Sequence, residues 1–489
     1  MIETKKNVRK LRVAIIGGGI TGSCAAYVLM NDANNRIEGK SLIEIHLFDQ
    51  GRRGVGGRSS SRSQCNSNDE NGCLSVLKWD HGCQFFRADT ERFQYLVKEL
   101  ISEGIVKEWN GDFRSSHTIS ENSKLDFFGM PFVPPFYVGV DGMQGVTKGL
   151  LGRMIHEKSE EEENEKYSDT PLSDHLSKLS VFTGTRVGDL ERDETAAKWR
   201  LWGTSGEAAY HDTPEKKAQE MNQRVLLGSE QGYDAVILTD VSSSFGTWHR
   251  ASAGVPESFA SRVRTRVGAR VPLFTAMIAF ESESTIPFDA VTFDNDILWF
   301  ASKTNSKLDN NGNTMKECWT LVSTPEYAIA KIEETPMQDP ITGEFLPQTK
   351  EYLLSVPGAD LKNAFCNEVT SIDGILGNEK LQSVPEIIHL DAQRWGSAMP
   401  AHRHLGESSS TCKVISGVSY DSSRSSLAPT KMTQPLESSN QKSFLIDENL
   451  MLLQAGDMVS SFTPGFEGAA ISGMDAAQYL LDIFNLRFC

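Results

Sequence analysis

Long apolar runs are missing from this chain, and no stretch of its 489 residues approaches the ~20 needed to cross a bilayer. Basic charge is also short: 49 Lys and Arg stand against 65 Asp and Glu, a formal net charge of −16. That deficit argues against nucleic acid or an anionic membrane as a main partner. Part of it is local, because Glu160 to Glu163 and Glu165 form an acidic run that reads as a solvated, disordered insertion. The cysteines at 24, 65, 73, 83, 318, 366, 412 and 489 form no C-x-x-C and no metal-type spacing with histidine. Reduced thiols in an intracellular protein, cytoplasmic or organellar, and no bound metal are therefore expected. His402 and His404 stand two apart beside Arg403, which is poor spacing for a metal. Met1 to Lys10 is polar and too short for a secretory signal or an ordinary transit peptide. Internal repeats and a catalytic triad are absent as well.

What is present begins at Leu11. The apolar run Leu11 to Ile16 suits a strand buried on both faces. It leads into Gly17-Gly18-Gly19-Ile20-Thr21-Gly22, a G-x-G-x-x-G that opens a helix. A second strand, Ile43 to Phe48, ends at Asp49, and the polar stretch Asn31 to Ser41 explains the long spacing as an inserted loop. In such an edge Gly17 makes the tight turn, Gly19 lets backbone approach a pyrophosphate, and Gly22 lets helix and strand pack closely. The helix start at Ile20 and Thr21 offers orphan N–H donors and partial positive charge to the phosphates. Asp49 is placed to take both hydroxyls of an adenosine ribose, which disfavours a 2′-phosphate there.

Length implies two lobes. Thr90 to Glu108 reads as a helix with Phe93, Leu96, Val97, Leu100, Ile101 and Ile105 on one face. Val181 to Val187 reads as one strand, with Trp199 to Trp202 and Tyr233 to Asp240 returning to the cofactor sheet. Leu273 to Phe280, Ala290 to Ala301, Cys318 to Ser323 and Ile388 to Arg394 read as strands of an antiparallel sheet in the second lobe. Residues 1–88, 142–262 and 448–489 are expected to form a discontinuous dinucleotide domain, and residues 89–141 and 263–400 a substrate domain. Segments 152–180 and 405–445 read as polar insertions.

Two further runs carry a family resemblance. Gly54-Val55-Gly56-Gly57-Arg58 follows the acidic residue, where a nicotinamide dehydrogenase needs no second glycine cluster. It is similar to the second phosphate-binding segment of FAD enzymes of the amine-oxidase type, which implies glycines at 54 and 57 close to the pyrophosphate and Arg58 against it. Near the C-terminus, Gly456-Asp457 and the helix opening at Gly465-Phe466-Glu467-Gly468 resemble the last FAD segment of the same enzymes. That likeness implies ribityl contacts from Asp457 and backbone from Phe466 to Gly468 beneath the flavin pyrimidine ring. A helix N-terminus there stabilises charge on the reduced ring. The backbone at Val187 is implied to contact adenine.

Asp80-His81-Gly82-Cys83-Gln84-Phe85-Phe86, Gly142-Met143 and Gln393-Arg394-Trp395-Gly396-Ser397-Ala398-Met399-Pro400 narrow the resemblance to the renalase-like branch of the amine-oxidase superfamily. It implies an α/β fold, α+β overall: a Rossmann-type FAD-binding domain plus a substrate domain with a mainly antiparallel sheet, of the p-hydroxybenzoate hydroxylase type. It further implies non-covalent FAD and oxidation of a small reduced substrate, a dihydronicotinamide in renalases, with O2 taking the electrons. His81, Arg394 and Trp395 are the candidates at the flavin face, with Phe85, Phe86 and Phe462 lining a dry pocket.

Other readings stay open. A true amine oxidase wants a lysine near flavin N5 and an aromatic cage, and no clear candidate stands out for either. An NADPH-dependent monooxygenase would favour a second nucleotide fingerprint, which is not found. A flavoprotein scaffold or sensor with structural FAD is the reading outside enzymes.

Overall fold

The computed structural model describes residues 9–36, 41–66, 75–115, 126–128, 130–131, 134–165, 177–206, 224–244, 255–268, 270–308, 316–336, 348–371, 374–376, 381–400, 442–460 and 465–488. The chain divides into two compact units: Met1–Gly57 with Thr147–Val267 and Leu436–Cys489, and Arg58–Val146 with Gly268–Pro435. Both ends of the chain thus belong to one unit.

The first unit is built on a six-stranded sheet in the order Lys178–Phe182, Ser41–Phe48, Arg9–Ile16, Ala235–Leu238, Leu452–Gln454, Leu445–Asp447. The first five strands run parallel and Leu445–Asp447 runs antiparallel at the edge. Val13, Ala14 and Ile15 and all of Ala235–Leu238 are buried, as a sheet covered on both faces requires. Helix Ile20–Arg36 packs against the last helix, Phe466–Phe488. Their approach is close: a Cβ on Gly473 would stand 2.1 Å from the Thr21 carbonyl oxygen.

Two expectations change in this unit. The run Val181 to Val187 is a reversal between Lys178–Phe182 and Thr185–Asp193, made at Gly184 with φ +58. Trp199–Trp202 joins a separate three-stranded antiparallel sheet of Thr185–Asp193, Lys198–Ser205 and Val225–Leu227. Only Ala235–Leu238 returns to the main sheet.

The second unit holds a six-stranded sheet in the order Ile387–Pro400, Arg270–Phe280, Cys318–Ser323, Leu298–Lys303, Ala290–Thr292, Phe113–Ser115. All pairs are antiparallel except Ala290–Thr292 with Phe113–Ser115. The expected single strand Ala290 to Ala301 is a hairpin, because Asn295 Oδ1 accepts the Ile297 and Leu298 amides at 2.9 and 3.0 Å and turns the chain. The last strand runs on through Pro400, so it carries Arg394 and Trp395 inside the sheet.

The helix expected over Thr90 to Glu108 spans Glu91–Ser102, with Thr90 Oγ1 capping the Phe93 amide. It ends at Gly104, φ +70, where Gly104 N donates to Ile101 O and Ile105 N to Leu100 O. That is a Schellman closure. Ile101 is consequently 40% exposed and lies off the buried face.

Residues 58–88, expected with the dinucleotide domain, fall in the second unit. Their hairpin, Ser61–Asn66 with Ser75–Asp80, is tied there by Trp79 Nε1 donating to Ile278 O at 2.9 Å and Thr320 Oγ1 donating to Asp80 O at 3.0 Å. The acidic run ending at Glu165 lies at the end of a helix in this structure. It continues helix Met143–Glu165, whose first amide donates to Asp80 Oδ1 at 2.8 Å. Glutamate propagates a helix well once the first turn is anchored.

Candidate functional site

The glycine loop of the first unit separates three roles that composition alone would merge. Gly17 sits at φ +108, and a Cβ there would lie 2.1 Å from Thr239 Oγ1. A Cβ on Gly22 would lie 2.0 Å from Gly17 O and 3.1 Å from Ile15 Cγ2, so helix and strand need its absence. Gly19 differs: its nearest neighbours would be Gly56 O at 3.7 Å and Gly57 Cα at 4.0 Å. The space over Gly19 is therefore open on the protein side, which is the fit expected of a phosphate cradle. Ile20 and Thr21 begin the helix there, and its first N–H groups have no intrahelical carbonyl to bond.

The second glycine run faces the first. Gly56 N donates to Gly18 O at 2.9 Å, and Gly19 and Gly56 form an isolated parallel bridge. Gly54, Gly56 and Gly57 have φ of +102, +149 and +53, a sequence of conformations that side chains resist. Asp49 ties the first run to the turn that leads into the second: its Oδ2 accepts the Gly18 amide at 2.7 Å and its Oδ1 the Gly51 amide at 2.6 Å. Burial pushes its carboxyl above the ordinary range, against the pull of those two amides. Each carboxylate oxygen keeps a further lone pair for a hydroxyl.

At the other end of the chain, Gly456 lies at φ +131 with its amide on Ser472 Oγ at 2.8 Å. Asp457 is buried beside it, and Gly465, φ +112, precedes the helix that opens with Phe466, Glu467 and Gly468. Ser472 Oγ in turn donates to Ser443 O at 2.7 Å, fixing that helix to the edge of the sheet. Val187 is buried next to a bulge at Gly188 and packs with Phe48, Leu190, Trp199 and Tyr233. Gly18 and Thr239 were missed in the sequence. A Cβ on Gly18 would stand 2.7 Å from Val55 Cγ1 and 2.9 Å from Asp49 Oδ2, a constraint visible only once the loops meet.

In the second unit His81, Trp395 and Arg58 come together. Trp395 Nε1 donates to His81 O at 3.0 Å, and the two rings stand edge to face at 5.3 Å and 71°. Cys83 N donates to Arg58 O at 2.8 Å, and Arg58 Nη1 donates to Ala398 O at 2.9 Å. A Cβ on Gly82 would lie 2.1 Å from Arg58 O and 3.2 Å from Trp395 Cζ2, so the turn requires glycine. Arg394 neighbours Trp395 on the strand, and burial brings its guanidinium down to about 10. Phe85 and Phe86 are core instead of pocket wall: Phe85 packs on Phe136, Phe127 and Trp109 at 4.8, 5.3 and 5.8 Å between centroids. Phe462, His402 and His404 lie outside the described residues.

Sequence reading also passed over Gln84, Ser302 and Lys307. The Gln84 amide donates to Asp80 O at 2.6 Å and Gly82 O at 2.8 Å, while its oxygen accepts from Ser302 and Lys307. Nothing in the local pattern around Lys307 announces burial, since it follows the polar run Thr304-Asn305-Ser306.

No helix among the described residues is long and apolar enough to cross a membrane. Among solved structures the chain is similar to reduced UDP-galactopyranose mutase, at 11% identity over 97% of this chain and 96% of that one, TM-score 0.48. It is also similar to an oxidoreductase from Methanosarcina mazei, at 10% identity over 96% and 100%, TM-score 0.47. A putrescine oxidase triple mutant redesigned in cofactor binding matches at 11% identity over 97% and 99%, TM-score 0.45. Residues 15–100 match the NAD(P)-binding Rossmann-like domain. That match and the loop geometry agree: the chain is an α/β protein with a Rossmann-like dinucleotide-binding domain.

Proposed function

We propose that the chain is an FAD-dependent oxidoreductase of the renalase-like kind. One observation supports it above the others: two glycine runs, Gly17–Gly22 and Gly54–Gly57, meet backbone to backbone over the open space at Gly19. The first run alone suits the pyrophosphate of any dinucleotide, and the second adds backbone to that cradle in the manner of FAD enzymes of the amine-oxidase type.

Gly19, Ile20, Thr21, Gly54 and Gly57 would hold the diphosphate through backbone, Asp49 the adenosine ribose, and Asp457 the ribityl chain. Val187 would meet adenine, and the helix opening at Phe466, Glu467 and Gly468 would place its positive end at the isoalloxazine. Bound FAD would supply a two-electron acceptor and a route for those electrons to O2. The chain's own part is to orient the substrate and exclude water. His81, Arg394 and Trp395 are its candidates, with Arg58 kept for the pyrophosphate: Arg394 offers fixed positive charge to an anionic group, and Trp395 a flat apolar surface beside His81. The substrate we favour is a dihydronicotinamide, which gives up a hydride and leaves as the oxidised nicotinamide, while O2 takes up the hydride's two electrons and proton with one further proton from water to become H2O2.

Anaerobic mixing tests this directly. The yellow purified protein should bleach with 6-dihydro-NAD and not with amines or NADPH. Protein that is colourless and takes up no added FAD overturns the cofactor, and a flavin that no reductant in a broad panel reduces overturns the oxidase.

A further inference from the structure

Lys307 is fully buried in the second unit, and its ammonium has no carboxylate within salt-bridge distance among the described residues. Its Nζ donates to Gln84 Oε1 at 3.0 Å and Ser302 Oγ at 2.9 Å and lies 5.0 Å over the Trp109 ring. Asp80, the nearby buried acid, spends Oδ1 on Ser61 Oγ and the Met143 amide. A buried cation whose acceptors are an amide and a hydroxyl is a net cost to folding that an apolar side chain of similar volume would avoid. Its role therefore has to be sought in what it holds.

What it holds is the turn that carries His81. Lysine offers only donors, so the Gln84 oxygen must face Lys307 and the Gln84 NH2 must face the Asp80 and Gly82 carbonyls. Those two carbonyls bracket His81. Its own carbonyl accepts from Trp395, and Cys83 N closes on Arg58 O. The charge-assisted bond from Lys307 is the strong one in this chain of contacts. Burial brings Lys307 down to about 8, with the Asp80 carboxylate acting against the fall.

We propose that Lys307 is a positioning residue for His81, fixing the Asp80-to-Gln84 turn through the Gln84 amide so that His81 and Trp395 keep one arrangement. This rests on the proposed function for the meaning of His81 but not for its geometry, and the test separates the two. The probe is Lys307→Met with ring-13C histidine, the His81 signal assigned by His81→Ala among ten histidines. The expected result is a His81 signal that shifts or broadens while His389 keeps its shift, with a thermal midpoint that does not fall and unchanged FAD content. The limiting rate of anaerobic flavin reduction by borohydride-reduced NAD should drop at least about tenfold, within the ~10²-fold cost of a small misplacement. A merely structural lysine would lower the midpoint and leave His81 alone. An unmoved His81 signal overturns the proposal. If Lys307→Met does not fold, Lys307→Gln, too short to reach Gln84 with its amide and uncharged, takes its place with the same expectation. Failure of both to fold assigns Lys307 to the scaffold and also overturns it. Wild-type protein that takes up no FAD would sink the proposed function, while the His81 signal would still decide Lys307.

Discussion

The Gly18 amide donates to Asp49 Oδ2 at 2.7 Å, so the acid that ends the second strand also fastens the glycine loop after the first. With Gly51 on its other oxygen, Asp49 is a clamp before any nucleotide arrives. Asp49→Ala should leave the buried Gly18 amide unsatisfied, at about 1–3 kcal/mol, take the partner from the half-buried Gly51 amide, and shed FAD. Urea unfolding and flavin absorbance after gel filtration measure both. Wild-type stability with full flavin content would refute the double role.

Gly19 and Gly22 should respond in opposite ways to the same small change. Gly22→Ala places a Cβ 2.0 Å from Gly17 O and should cost the fold. Gly19→Ala has room in the protein and should fold with a near-normal melting curve, yet retain little FAD because its methyl occupies the phosphate's space. Equal flavin content in Gly19→Ala and wild type would remove the phosphate from that position.

Lys307 should leave a mark on stability against pH. Its pKa falls from 10.5 in the free chain to about 8 in the fold. The unfolded chain thus binds the extra proton between those values, and stability rises with pH across them. The penalty, about 3 kcal/mol, is complete below pH 8 and gone above 10.5. Lys307→Met should abolish that rise, so its advantage over wild type should be largest at neutral pH and shrink toward pH 10. Denaturant titrations at several pH values read the difference. Parallel curves for the two proteins would contradict the buried-charge account.

Trp395→Phe keeps a ring against His81 but withdraws the N–H from His81 O. The loss should be about 1 kcal/mol of stability with FAD content unchanged and slower flavin reduction. A variant that reduces as fast as wild type would show that the bond does not position His81.

The first unit was legible because its signals are local. Gly17 to Gly22, the strand before it and Asp49 stand within one β-α-β stretch, where spacing and chemistry agree. Residues 58–88 were assigned to the wrong lobe because their own sequence looks like a continuation of that stretch. What decides their place is Trp79 meeting Ile278 O, some two hundred residues on, and no periodicity records such a contact. Phe85 was legible as an aromatic for either core or pocket wall, and its neighbours Trp109, Phe127 and Phe136, arriving from other segments, decide for core. Lys307 was invisible for the same reason in sharper form: a lysine in a polar run reads as solvent-exposed, and it takes the distant Gln84 and Trp109, beside the nearby Ser302, to enclose it.

Gly473 rests on the Thr21 carbonyl, which joins the final helix to the first one. On the ribosome those partners emerge on the order of tens of seconds apart. Helix Ile20–Arg36 must wait for Phe466–Phe488, and strand Ala235–Leu238 for Leu452–Gln454, before each is covered on that side. The second unit, whose last residue is Pro435, has all its strands earlier and is free to condense first. Nascent chains stalled before Leu436 should therefore carry a protease-resistant middle and a more readily cleaved beginning.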